Sequence, residues 1–400
     1  MIETTQIPEK NNVLVLGNGF DIAHGYRTRY EDFFNFYEAI DKTLKDIPFE
    51  SIRFVDEFIK NYDTEGTKDI SIKRIGTKIC EYYTSHNDIR EKYEQNSWIK
   101  LIKDYKDHLG RNWADLEMFI GVAMNCLAIL ERYFKGDYAA YEFDLHRLLY
   151  EYFEKEISKI DKEKPDAIFD LTDNYKKDLD GLIELLSIYL YYFQPENDLE
   201  ESHFHFYSSY YSKVLSFNYT NHFKEKYDVQ KHKEYHFIHG KCDDYKTMVF
   251  GTDEEIKSEI KGRENEYLDF QKYYQRIIKE TGSYYKRWLN NKCDHILFFG
   301  FSFSLSDMDT ILSLSNNRWI ISYYNDSAKK EIVRNLSTIL SKEVLIERIG
   351  NKEIILINGL GDTKYKNYMI DLENKVRKEE EENDKLKERQ EEDDMMFNYN

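Results

Sequence analysis

The chain is poor in the residues that punctuate and staple proteins. Four prolines in 400 residues leave few obligatory breaks, which together with abundant Lys, Glu, Asn, Ile and Tyr predicts a helix-rich protein from an AT-rich, bacterial genome. The four cysteines, Cys80, Cys126, Cys242 and Cys293, are far apart and form no CxxC pair. Neither a disulfide ladder nor a zinc module is therefore expected, and free thiols in a reducing cytosol are. Long apolar runs are missing too: the greasiest stretch, Leu182 to Phe193, contains Glu184 and is too short to span a bilayer. The polar start, Met1 to Asn11, has no apolar segment of the kind that targets secretion. The expected location is the cytoplasm, with no membrane partner.

Positive charge is also in deficit, leaving a net charge of −18. Such a chain gains nothing from counterion release on a duplex, so direct nucleic-acid binding is not expected. What is plentiful is aromatic side chain, with 34 Tyr and 25 Phe among 41% hydrophobic residues, enough to build large cores.

Val13 to Leu16 is an apolar run that stops at Gly17-Asn18-Gly19, predicting strand, tight turn and helix. Residues 31–210 then carry helical periodicity, with Leu179, Leu182, Ile183, Leu186 and Leu190 on one face. Short β-rich runs return at Lys213–Phe217, Tyr235–His239, Thr247–Phe250, His295–Phe299, Trp319–Tyr324 and Val344–Ile346, separated by helical stretches at 264–289, 306–315 and 327–341. Strands alternating with helices predict an α/β, Rossmann-like fold with a mostly parallel sheet. The expected division is a nucleotide-binding domain from 12–30 and 211–360, a large all-helical insertion at 31–210, and a charged helical tail at 361–400.

Ligands in open α/β sheets bind outside the carboxyl ends of the strands. At the first such end, Gly17, Asn18, Gly19, Phe20 and Asp21 form a turn that reads either as a plain tight turn or as a phosphate cradle, with Gly25 close behind. Ile22 stands where GxGxxG needs its third glycine, which excludes an ordinary dehydrogenase loop. Asn218 and Thr220 follow the Lys213 strand, and His239-Gly240 follows the Tyr235 strand. Each reads equally well as a turn or core residue. A fourth end carries Gly300, Ser302, Ser306, Asp307 and Asp309, with Asp307 also suited to cap the next helix. Asn325 follows the Trp319 strand.

Two acidic or histidine-bearing patterns stay open. Glu117 shares a helix face with Trp113 and points inward, either toward chemistry or as the buried partner of an Arg or Lys. His203, His205, His236 and His239 with Asp307 and Asp309 are numerous enough for a metal-dependent nuclease. They lack a compact ligand spacing, however, so no metal is expected.

Taken together, Gly17-Asn18-Gly19-Phe20-Asp21 with Gly25, Trp113-Ala114-Asp115-Leu116-Glu117, Phe217-Asn218-Tyr219-Thr220-Asn221, Ile238-His239-Gly240, and Gly300-Phe301-Ser302 with Ser306-Asp307-Met308-Asp309 resemble the AbiH family of phage abortive-infection proteins. More remotely, the same landmarks are similar to the sirtuin-type NAD-binding domain. Asp21 stands where that family has its loop serine, Thr220 where it has an aspartate, and its four-cysteine zinc module is missing. The resemblance implies an anti-phage effector that takes NAD or a related adenine dinucleotide as substrate and releases nicotinamide and ADP-ribose. It assigns the catalytic roles to Asn218 and His239, and the dinucleotide to the Gly17–Asp21 turn with Gly25, Thr220, Gly300, Ser302 and Asp307; Asn325, by its place after the Trp319 strand, joins Ser302 as a candidate for fixing the adenosine side. Such an enzyme has to be gated, by the helical region or tail covering the pocket or by control of assembly into homo-oligomers, with a phage-derived trigger. A non-catalytic nucleotide sensor is the alternative.

Overall fold

A computed structural model describes residues 12–63, 70–86, 89–109, 113–133, 144–160, 166–194, 211–228, 232–256, 258, 263, 265–289 and 295–359. The predicted charged tail, the amino-terminal eleven residues, Cys293, His203 and His205 lie outside them.

Six short strands form one sheet: β1 (Val13–Leu16), β2 (Lys213–Ser216), β3 (Glu234–Phe237), β4 (Ile296–Phe299), β5 (Trp319–Tyr323) and β6 (Ile354–Asn358). Their order is β3-β2-β1-β4-β5-β6, and every pairing is parallel. This is the doubly wound arrangement of a Rossmann-like fold, with the chain's first strand at the centre and its last members arriving much later. β1 reads as unbroken apolar sequence because both faces are covered. Val13 and Val15 pack with Leu215, Phe298 and Ile321 on one side, while Leu14 and Leu16 pack with Val214, Leu297 and Ile320 on the other.

Between β1 and β2 run α1 (Gly19–Ala23), α2 (Tyr30–Asp46), α3 (Phe54–Tyr62), α4 (Ile70–Ser85), α5 (Ile89–Gln95), α6 (Ser97–Tyr105), α7 (Trp113–Tyr133), α8 (Asp144–Ile160) and α9 (Asp166–Tyr192). From α2 to α9 these helices share a large aromatic core. Leu179, Leu182, Ile183, Leu186 and Leu190 are all inside it, on the face that the periodicity gave α9. That core also takes in Tyr219, Cys242, Met248, Phe250, Tyr267 and Phe270 from beyond β2. Among the described residues, no helix is long and apolar enough to cross a membrane.

Later helices are α10 (His222–Tyr227), α11 (Lys272–Ile278), α12 (Lys286–Leu289), α13 (Met308–Ser313), α14 (Asp326–Ile339) and α15 (Lys342–Gly350). Three sequence expectations are corrected here. Thr247–Phe250 is not a strand: a 3-10 turn covers Tyr245–Thr247, and the backbone beyond it is satisfied by the His239 carbonyl and the Gln275 side chain. Val344–Ile346 is not a strand either but lies within α15, where the Ser341 hydroxyl accepts from Val344 N. Three β-branched or aliphatic residues are too few to resist a capped helix, and the last strand is Ile354–Asn358 instead. The stretch 264–289 is not one helix. It breaks between α11 and α12, where Glu280 and Gly282 both take positive φ, 52° and 67°.

Candidate functional site

The carboxyl ends of β1 and β4 meet in two interlocked turns. Gly17 N donates to Phe299 O (3.1 Å), Gly19 N donates to Gly300 O (2.9 Å), and Phe20 N donates to Gly17 O (2.9 Å). A Cβ on Gly17 would lie 2.7 Å from Phe301 Cα, and one on Gly19 2.7 Å from Gly300 Cα. The glycines thus serve a close approach of one backbone to another. Three of the N–H donors expected to receive phosphate are engaged within the protein. Asn18 is engaged as well: its amide donates to Thr28 O (3.0 Å), and its Oδ1 accepts from the Thr28 hydroxyl (2.6 Å). Phe20 is buried against Phe223, Tyr227 and Phe299, and Gly25 turns the chain after α1 with φ +80°.

Asp21 is buried in the same region. Its carboxylate accepts from the Thr220 hydroxyl (2.6 Å) and lies 3.2 Å from His222 Nδ1. The His222 ring is stacked on Tyr26 at 3.5 Å, nearly parallel. Burial, with Asp21 adding to it, pushes the Tyr26 phenol up to about 12.

A second cluster sits above β2, β3 and β4. His239 Nε2 lies 3.0 Å from Asp307 Oδ1. The same carboxylate oxygen lies 3.3 Å from Lys272 Nζ, which also donates to Glu117 Oε2 (2.7 Å) and Ser306 O (3.2 Å). Arg276 Nη2 is 3.9 Å from Asp307 Oδ1, too long for a hydrogen bond. Lys272 and Arg276 come from α11, one turn apart, and Glu117 comes from α7. Gly240, at φ +75°, lets the 247–249 backbone lie against the His239 turn, where Val249 N donates to His239 O (2.8 Å).

These charges settle in a definite pattern. Burial alone would raise Asp307, but Lys272 and His239 pull it far below the usual carboxylate range. Burial alone would lower Lys272, but Asp307 and Glu117 hold its ammonium above its ordinary value. Burial, with the Asp307 charge adding to it, pushes Glu117 up to about 7 although Lys272 and a hydrogen bond from Ser306 favour its carboxylate. Asp253 is pushed up by burial to about 6. His239 is lowered by burial to about 4 in spite of Asp307, so its imidazole is neutral at pH 7.

Several polar atoms in this cluster are buried without a hydrogen-bond partner: Asn218 Oδ1, His239 Nδ1, Asp253 Oδ2, and Arg276 Nε and Nη2. Phe217 and Tyr219, which flank Asn218, both face the His239 ring at 5.6 and 6.0 Å. Asn218 and His239 are only 6% and 4% exposed, whereas the Arg276 side chain is 17% exposed and Asp253 and Ser306 are half-buried. Phe217 also packs on Phe301 at 4.5 Å, which joins the His239 cluster to the Gly17 turn.

The fold brings Asn218, His239 and Asp307 to one rim and keeps Gly17 to Asp21, Thr220 and Gly300 beside them. Ser302 and Asn325 are set apart. Ser302 is exposed, its carbonyl accepting from Asn335 Nδ2 (3.1 Å), and Asn325 caps α14 by accepting from Ala328 N (2.8 Å). Asp307 occupies the cap position of α13 but makes no capping bond with its side chain, because Lys272 and His239 hold the carboxylate. Glu117 lies as the buried partner of a lysine, one of its two sequence readings. Lys272, Arg276 and Asp253 carry no motif. The one sequence signal was two cations four apart on a helix, an arrangement that repels unless carboxylates face it.

Among the described residues, no group of three or more His, Cys, Asp and Glu side chains is arranged to hold a metal ion. The Lys272 ammonium occupies the point on which Glu117 and Asp307 converge. His236 packs against Tyr285, and burial, with Arg276 adding to it, disfavours its protonation.

No curated protein and no solved structure matches the chain. A family model described as bacteriophage abortive infection AbiH does, over residues 13–323, from the first strand through the fifth, and the chain belongs to that family.

Proposed function

We propose that this abortive-infection protein is an effector that hydrolyses NAD to nicotinamide and ADP-ribose at the Asn218–His239 rim. One observation carries the reading: two buried polar atoms, Asn218 Oδ1 and His239 Nδ1, have no partner of their own at the carboxyl ends of adjacent parallel strands. Buried polar atoms in this position are costly unless a ligand or a water supplies their hydrogen bonds.

The reaction asks for little beyond positioning. The bond from ribose C1′ to the pyridinium nitrogen breaks, and its electron pair goes to nicotinamide, which leaves neutral. A water oxygen bonds to C1′, and the proton it loses passes through His239 Nδ1 to solvent. Asn218 Oδ1 accepts from a ribose hydroxyl or from that water. Arg276 Nε and Nη2 are donors suited to substrate oxygens. Gly17, Asn18, Gly19, Phe20, Asp21, Gly25, Thr220 and Gly300 shape the rim, and the exposed Ser302 and Asn325, set apart from it, would be reached only by the adenosine end of a bound dinucleotide. The burial of His239 and Asn218 fits a resting state that opens only when phage infection supplies a trigger, with the α2–α9 region as the gate.

The test is to incubate purified protein with NAD and measure nicotinamide by chromatography. Release that His239→Ala and Asn218→Ala abolish supports the enzyme. Tight binding of ADP-ribose without release supports the sensor, which the same burial also favours. Neither release nor binding, in resting protein and in protein from phage-exposed cells, removes the nucleotide reading.

A further inference from the structure

We propose that Asp307 is a positioning residue that fixes which nitrogen of His239 carries the proton, keeping hydrogen on Nε2 and the lone pair on Nδ1, and that Lys272, anchored by Glu117, fixes Asp307 in turn. The catalytic consequence rests on the function proposed above, whereas the assignment of the proton does not.

Three observations lead to it. Only one nitrogen of the imidazole has an acceptor: Nε2 lies 3.0 Å from Asp307 Oδ1, while Nδ1 is buried with no partner. A carboxylate that is ionised accepts and cannot donate, so the nitrogen facing it must bear the hydrogen. The other nitrogen then presents a lone pair. Secondly, the carboxylate cannot turn away. Its Oδ1 is shared between His239 and Lys272 (3.3 Å), with Arg276 3.9 Å off on the same side. Lys272 is itself fully buried and pinned by Glu117 Oε2 (2.7 Å) and the Ser306 carbonyl (3.2 Å). Thirdly, no cap explains Asp307: it stands at the N-cap position of α13 and gives that helix no hydrogen bond from its side chain. An aspartate that forgoes its local role for a buried contact between elements distant in the chain is held there by that contact.

Groups facing the imidazole from neighbouring elements are consistent with this assignment. Phe217 and Tyr219 present rings, and the Tyr219 hydroxyl is committed to Val249 O (2.8 Å). Lys272 and Arg276 are cations that disfavour a second proton on His239. The ring is thereby kept neutral with one defined tautomer, the state in which a histidine accepts a proton from water or a hydroxyl.

The decisive experiment is a long-range ¹⁵N–¹H correlation spectrum of full-length protein carrying ¹⁵N-labelled histidine, with the His239 signals assigned by their loss in His239→Gln. The expected spectrum at pH 7 shows a protonated Nε2 and an unprotonated Nδ1. The reverse tautomer in the wild-type protein overturns the proposal without any variant having to fold. Asp307→Asn, whose amide can either accept from or donate to Nε2, is expected to mix the two tautomers and to lower kcat for nicotinamide release at least about 100-fold with KM little changed. Asp307→Glu should restore the single tautomer and part of the rate. An Asp307→Asn protein with wild-type spectrum and wild-type kcat refutes the positioning role. The predicted tautomer in a protein that releases no nicotinamide sinks the NAD reading alone.

Discussion

The Thr220 hydroxyl donates a 2.6 Å hydrogen bond to the Asp21 carboxylate, joining the turn after β2 to the turn after β1 across 199 residues. Thr220→Val should therefore cost about 1–3 kcal/mol, because Asp21 is 1% exposed and would lose a partner it cannot replace with water. The doubly exchanged Asp21→Ser, Thr220→Asp protein should recover most of that loss. Urea unfolding of Asp21→Ser, of Thr220→Asp and of the double variant measures the coupling, and additive losses would show that the contact is incidental.

Stability against pH should reveal two opposing slopes. His239 is depressed from 6.5 to about 4 in the folded protein, so its contribution is complete above pH 6.5 and is lost as the pH falls toward 4. Glu117 is raised from 4.5 to about 7, so its contribution is complete below pH 4.5 and is lost as the pH rises toward 7. Between pH 4.5 and 6.5 the two offset each other. Asp307 enters only below about pH 3.8, since its carboxyl is held down. Glu117→Gln removes one slope, and the remaining protein should lose up to about 3 kcal/mol on acidification from pH 6.5 to 4. Thermal denaturation across that range tests it; a Glu117→Gln protein with the same profile as wild type would contradict the assignment.

Gly300→Ala should damage the fold and not merely a ligand contact. Gly300 has φ +63°, and a Cβ there would run into Phe20 N and within 2.8 Å of Gly19 Cα, both backbone atoms with no room to move. The strain and the clash together should cost on the order of 3 kcal/mol. The expected readout is a fall in Tm of several degrees in the absence of any ligand.

Asn325→Ala should lower stability by about 1 kcal/mol through loss of the α14 cap. Asn325→Asp or Asn325→Ser keeps a capping oxygen and should retain most of the stability. If Asn325 also contacts the adenosine of a bound dinucleotide, affinity for ADP-ribose should drop in the alanine variant by more than its stability loss explains, measured by calorimetry at a temperature where both proteins are folded.

The strands plainest to read from the sequence were those whose neighbours bury both faces. Val13–Leu16 and Ile296–Phe299 are continuous apolar runs because the sheet is covered on each side. Val344–Ile346 has the same local character but sits in a capped helix, since propensity over three residues is smaller than the effect of the cap and the packing of Leu345 and Arg348. The candidate site divides in the same way. Asn218 and His239 were legible because strand ends in parallel sheets are marked by a change from apolar to polar residues. Lys272 and Arg276 were not, because a lysine and an arginine on a helix look like any solvated pair until the carboxylates facing them are known.

The sequence by itself determined a parallel α/β sheet interrupted by a long helical region, since hydrophobic period and glycine-marked strand ends are local properties of the chain. It also determined which asparagine and which histidine stand at the ends of neighbouring strands. Only the tertiary structure decided that the Gly17 and Gly300 turns close on each other, that Asp21 is answered by Thr220, and that Asp307 turns from its helix to His239 and Lys272. Those pairings depend on which residues meet across the sheet, and a carboxylate's charge and an imidazole's tautomer are set by partners that lie far away in sequence.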